Sequence, residues 1–262
     1  MEQFRQAAKR IDASDVVSLL REVYPEGVRG RNEAEALIAF DREFTDPAPE
    51  WRGFMAEAVA DHLLRRSQPL GIVTAEKANW LIRAIAPAGK ISTRGGFETL
   101  FRTIEQAAEI PVSLSVFAIR TLSALAGGDM EKPLDARDVT RLRRILEAGT
   151  GPVAAEEAEA LFDMHDAFAG RSNHGSFDDL FFRAITNYLL SASRRDTLPR
   201  KEALSREPRR DVGKDIEAEC AAWLATRIMR DGRPTFAERA LLTLIDNGAE
   251  PDGPPLRSSR AA

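Results

Sequence analysis

The chain has 262 residues, of which 44% are apolar and 30% charged, and its formal net charge is −4. That composition belongs to a folded globular protein rather than a disordered one, and the charge provides no overall basic field for nucleic acid or an anionic membrane. A single cysteine, Cys220, excludes an internal disulfide and a zinc site of several thiolates, which points to a reducing cytoplasm.

The opening residues, MEQFRQAAKRIDASD, contain no apolar stretch of the length a secretion signal requires. Helical periodicity then dominates, and strict alternation never persists, so the chain reads as all-α with no sheet. The pattern predicts helices near 13–24, 32–44, 50–66, 74–86, 94–108 and 112–126. The clearest runs from Trp51 to Leu63, where apolar or semi-apolar residues recur at i, i+3, i+4, i+7, i+8, i+11 and i+12. Asp12 followed by Asp15, and Thr74 followed by Glu76, mark helix starts. His62 lies on an apolar helical face and reads as a boundary residue wanting one hydrogen bond. The stretch 112–126 is the most apolar in the chain, yet it is too short to span a membrane and is interrupted by Arg120.

From Leu134 the pattern begins again. Ile11-Asp12-Ala13-Ser14-Asp15-Val16 answers to Leu134-Asp135-Ala136-Arg137-Asp138-Val139 at a shift of 123, and the string EAEAL stands at 33–37 and 157–161, a shift of 124. Trp51, Phe54, Met55, His62 and Leu63 match Phe177, Leu180, Phe181, Tyr188 and Leu189 at 126, and Trp80 and Gly89 match Trp223 and Gly232 at 143. The predicted organisation is therefore two helical repeats, 11–110 and 134–248, joined by a bridging helix and linker over 111–133. Second-repeat helices are predicted near 136–148, 154–168, 176–192, 215–230 and 235–246, with Asp135 and Ser176 as starts.

The shift grows from 126 to 143, so the second repeat carries 17 extra residues, which fall within 191–214. That segment has eight basic and four acidic side chains with Pro199 and Pro208 as breakers, and it reads as an irregular loop. Arg194, Arg195, Arg200, Lys201, Arg206, Arg209 and Arg210 are its candidate contacts, to a protein partner first and to nucleic-acid phosphates second. No aromatic residue accompanies them for base stacking. The tail 249–262 is rich in proline and polar residues and reads as disordered.

The sharpest local motif is Trp223-Leu224, then Arg230-Asp231-Gly232-Arg233, then Glu238. An Asp-Gly turn with Glu six residues after the glycine matches the second half of a calcium loop, but the first and third ligand positions would be Arg227 and Met229, which cannot bind a hard cation. The arrangement resembles the degenerate EF-hand-like and tellurite-resistance TerB-like helical proteins of bacteria, over about 215–246 and more weakly over 74–105. That resemblance implies a duplicated helical fold and a metal role for acidic residues, carried over here to Asp231 and Glu238. Separately, His165, Asp166 and His174 form a second candidate set for a transition metal.

Chemistry-bearing motifs are otherwise absent: there is no nucleophile elbow, Walker loop, dinucleotide fingerprint or His-Glu-x-x-His, and Cys220 lies among alanines as a small hydrophobe. The expectation is a non-catalytic interaction or regulatory protein of the bacterial cytoplasm, with no cofactor and no catalytic residue assigned. The alternative is a metal-responsive helical protein, and a third reading is an enzyme with a pocket between the repeats.

Overall fold

The computed structural model describes residues 11–24, 26–44, 47–128, 132–209, 211–230 and 232–248; Arg210, Asp231 and the tail 249–262 lie outside the described residues. Among the described residues the chain is all-α, and its β pairing amounts to two isolated bridges, Ile72 to Glu109 and Ile110 to Gly149.

Local chemistry sets the helix starts. Helix α1 (Ala13–Ser18) opens at Asp12, whose carboxylate accepts the N–H groups of Ser14 and Asp15 while the Asp15 side chain accepts the N–H of Asp12; a π turn over Leu19–Val23 follows. After α2 (Arg31–Asp41), α3 (Pro49–Asp61) begins with a proline where a missing N–H does no harm, and it runs into a π turn over His62–Arg66. Helices α4 (Ala75–Ile85) and α5 (Arg94–Gln106) are capped by the hydroxyls of Thr74 and Thr93, and α6 (Val112–Ala126) follows Pro111. In the second half α7 (Ala136–Ala148) repeats the aspartate box with Asp135 and Asp138, and α8 (Ala155–Ala167) and α9 (Ser176–Ala192) come next. Ser176, expected as a cap, is the first residue inside α9; Gly175 takes the cap position, and Asp178 and Asp179 place negative charge in the first turn, where the helix dipole favours it.

The insertion is not the irregular loop its composition predicts. It holds α10 (Arg200–Ser205) and a 3-10 turn over Val212–Asp215 before α11 (Ala218–Ile228) and α12 (Phe236–Gly248) complete the chain. Six residues cannot sustain a helix alone. Two side chains hold it down: Leu204 is fully buried, and Arg200 drives its guanidinium into the second half. There it meets both oxygens of Glu157 at 2.8 Å, with the two side chains 3% and 0% exposed, and it also donates to the carbonyls of Leu146, Gly151, Thr150 and Pro152.

Both halves contribute to one continuous apolar core, from Ile11 to Leu241. Helix α6 joins them physically: it packs on α4 from one side and on α7 and α8 from the other, burying Leu114, Ala118, Ile119 and Leu122. Ser115 on the same helix donates to Glu157 at 2.5 Å, so the bridging helix and the inserted Arg200 converge on one buried carboxylate.

Positions matched in sequence make like contacts. Trp80 donates its indole N–H to Glu35 at 2.6 Å, and Trp223 donates to Glu159 at 3.2 Å. His62 meets the Trp80 ring edge-on at 6.1 Å, as Tyr188 meets Trp223 at 4.9 Å. Helix α3 packs on α5, and α9 on α12. Gly89 and Gly232 both take positive φ, +80° and +71°, a turn conformation that a Cβ would oppose.

Lys77 belongs to the first half alone. Its ammonium is enclosed by the carbonyls of Leu63, Ser67 and Pro69 at 2.7 Å and of Ile72 at 2.9 Å. Burial pulls its pKa below the ordinary lysine value, and four acceptors for three protons satisfy the charged form.

Candidate metal centre

Helix α8 carries Glu159, Asp163 and Asp166 at i, i+4 and i+7, a spacing that aligns three carboxylates on one face. Arg227 of α11 lies among them. Its Nε is 3.1 Å from Glu159, Nη2 is 3.0 Å from Asp163, Nη1 is 2.9 Å from Asp166, and its guanidinium stands 4.7 Å over the Phe162 ring. Burial opposes its charge, but hydrogen bonds to Asp166 and Glu159 lift its pKa above the usual arginine value. Arg230, one turn on, adds contacts to Asp163 at 3.3 Å and Asp166 at 3.5 Å. The residue at the first calcium-loop position is thus itself the cation held by these acids. Motif reading names Arg227 only as a loop position that cannot bind a hard cation and Arg230 only as part of the turn; the acidic i, i+4, i+7 row is the signal for their ion-pairing role.

On the next face of α8, His165 is 3% exposed and stacks on Phe181, with ring centroids 4.0 Å apart. Its Nε2 lies 3.3 Å from Asp178 Oδ1 at the start of α9. With the N–H placed on Nε2 and donating to that carboxylate, Nδ1 carries the lone pair. Nδ1 is buried and has no hydrogen-bond partner.

The fold brings Asp166 and Glu238 to this histidine. Ligand atoms of His165, Asp166 and Glu238 all lie within 4.8 Å of one another. Glu238 is 1% exposed; it sits at the third position of α12, where one oxygen accepts the Thr235 N–H at 2.7 Å and Thr235 Oγ1 accepts the Glu238 N–H at 3.2 Å. One imidazole and two carboxylates suit a borderline transition cation such as zinc or manganese better than calcium. Asp178 supplies the orienting carboxylate that metal-binding histidines normally require.

Three of the five residues named from sequence as metal candidates therefore converge, drawn from two separate motifs. His174 is not with them: it is exposed, and its Nδ1 lies 2.7 Å from Ser176 Oγ. Asp231 is outside the described residues. At the matched positions of the first half stand Asp41, Arg42 and Gly95, and Asp41 accepts the Trp51 indole N–H at 2.8 Å.

The basic candidates of the insertion divide. Arg200 is buried on Glu157 and out of reach of a partner, which removes it from the contact set. Arg194 and Lys201 are exposed, Arg195 donates to the Asp215 carbonyl at 3.3 Å, Arg206 pairs with Glu202, Arg209 pairs with Asp215, and Arg210 lies outside the described residues. Between the halves lies a cavity of about 190 Å³, lined by Phe101, Ile104 and Glu105 from the first and by Thr140, Arg141, Arg144 and Ile145 from the second. Among the described residues no helix is long and apolar enough to cross a membrane.

No protein-family model, curated protein or solved structure matches the chain.

Proposed function

We propose that the chain is a non-catalytic, metal-responsive helical regulatory protein of the cytoplasm, in which a divalent transition cation on His165, Asp166 and Glu238 fastens α12 to α8. The observation that carries this reading is a buried histidine, His165, whose Nδ1 has no partner and whose ring offers a ligand atom within 4.8 Å of carboxylate oxygens of Asp166 and Glu238. A buried polar atom without a partner costs free energy, and a cation coordinated there removes that cost while compensating the buried charge of Glu238. Arg227 and Arg230 offset two of the four carboxylates Glu159, Asp163, Asp166 and Glu238, so a single dication balances the other two.

In this reading the two halves descend from a duplicated helical unit, which the matched Trp–Glu bonds and positive-φ glycines support. The second unit has become the ligand-bearing one. The likeness to EF-hand-like and TerB-like proteins then extends to a metal role for Glu238, with a histidine where a calcium site would use oxygen. The exposed Arg194, Arg195, Lys201 and Arg209 offer a protein partner basic contacts.

Melting in the presence of Zn²⁺, Mn²⁺ or Ca²⁺ tests the proposal. Binding to the folded state raises the unfolding midpoint with the logarithm of free metal. Zinc or manganese should do so and calcium should not. Glu238→Gln, which keeps an acceptor for the Thr235 amide, should remove most of the rise. A midpoint indifferent to zinc and manganese, or an equal rise in Glu238→Gln, overturns the proposal.

A further inference from the structure

The 17-residue insertion does more than cover the second half: together with α9 it encloses a cavity of about 560 Å³, within the range of small-molecule sites. Its floor comes from α9, with Arg183, Asn187 and Leu190, and its walls come from the insertion, with Arg195 and Leu198. Apolar surface predominates, and polar donors are set into it.

Asn187 is 3% exposed. Its Oδ1 accepts the Val153 N–H at 2.9 Å, which fixes the amide orientation and leaves Nδ2 as the donor without a protein partner. Arg183 has a side chain only 12% exposed, and it uses Nε alone, on Asp179 at 2.9 Å. Arg195 is held through Nε by a neutral carbonyl. Arg194 precedes it with φ of +55°, a left-handed conformation that turns the chain at the end of α9. Of the acids on the walls, Asp215 is engaged by Arg209 at 2.7 Å, whereas Asp196 and Glu207 are exposed, where water screens them.

The first half makes the contrast. At the positions matching Arg183 and Asn187 it has Glu57 and Asp61, both paired with Arg65, at 3.5 and 3.1 Å. Carboxylates with counterions are thus replaced by donors with guanidinium and amide N–H groups left open.

We propose that this cavity binds a small organic anion, a carboxylate or phosphate ester whose charged end meets Arg183, Arg195 and Asn187 and whose apolar body lies on Leu190 and Leu198. The site is separate from the metal centre and does not depend on it.

Hexanoate, phenyl phosphate and inorganic phosphate are the probes, titrated into the intact protein and followed through the side-chain amide resonances of Asn187. At least one organic anion should shift those resonances saturably. Asn187→Asp keeps the acceptor for Val153 but turns the donor into a negative charge, and should weaken binding about tenfold or more. Arg183→Gln should weaken it comparably and guards against a fold defect in the first variant. No saturable shift with either organic anion up to about 10 mM overturns the proposal. So does unchanged affinity in both variants, or inorganic phosphate binding as tightly as phenyl phosphate, which would mark a bare ion site.

Discussion

Gly95 is pressed against Asp41 so closely that a Cβ on the glycine would stand 2.5 Å from Asp41 Oδ1, and the matching positions of the second half are the metal candidates Glu238 and His165. Sequence-matched positions thus differ in what they hold. In the first half they are a glycine and an aspartate that accepts the Trp51 N–H; in the second they are a buried glutamate and an imidazole whose Nδ1 has no partner.

Gly95→Ala should therefore destabilise the protein by about 1–3 kcal/mol, because the new methyl group meets a carboxylate fixed by Trp51. Asp41→Ala should relieve the clash while leaving the Trp51 N–H without its acceptor. The double variant should then cost less than the sum of the singles, and urea midpoints of the four proteins measure that coupling.

Removing one member of the Arg200–Glu157 pair should cost about 3–5 kcal/mol, since the other is left buried and uncompensated. Arg200→Lys should also be destabilising: an ammonium cannot match both glutamate oxygens and the surrounding carbonyls at once. Limited proteolysis should then cut within 194–214 sooner than in the parent. Equal cleavage rates would show that Arg200 does not hold the insertion.

Acid should weaken the first half through His62. Burial, with the charges of Arg66 and Lys77, holds its pKa below the ordinary 6.5, and its Nδ1 is buried without a partner. The unfolded chain then takes up the proton first, so stability contributed above about pH 6.5 is lost as pH falls from there toward the folded pKa. His62→Tyr, which copies the matched Tyr188, should flatten that part of the melting-temperature profile. An unchanged slope would assign the acid sensitivity to other groups.

The all-α class and the helix starts were legible because they depend on near neighbours: a 3.6-residue period and aspartates placed three residues ahead of free amides. His165, Asp166 and Glu238 were each visible as ligand types. Their convergence was not, because it depends on how α8 meets α12. By sequence Arg200 is one more member of a basic run, since burial of a charge is decided by a distant partner, here Glu157. Helix α10 leaves no signal in the sequence because six residues between prolines present less than two turns of pattern. Asn187 carries no motif of its own, because its open donor is defined by Val153 and by walls inserted after it.

The carbonyl cage around Lys77 makes that residue a built-in reporter. Acylating reagents that modify surface lysines meet its amine only after the 67–72 segment lifts away, so its labelling rate in native buffer measures how often that corner of the protein opens. Its modification should lag far behind that of Lys90, and mass spectrometry of a labelling time course would read the two clocks side by side.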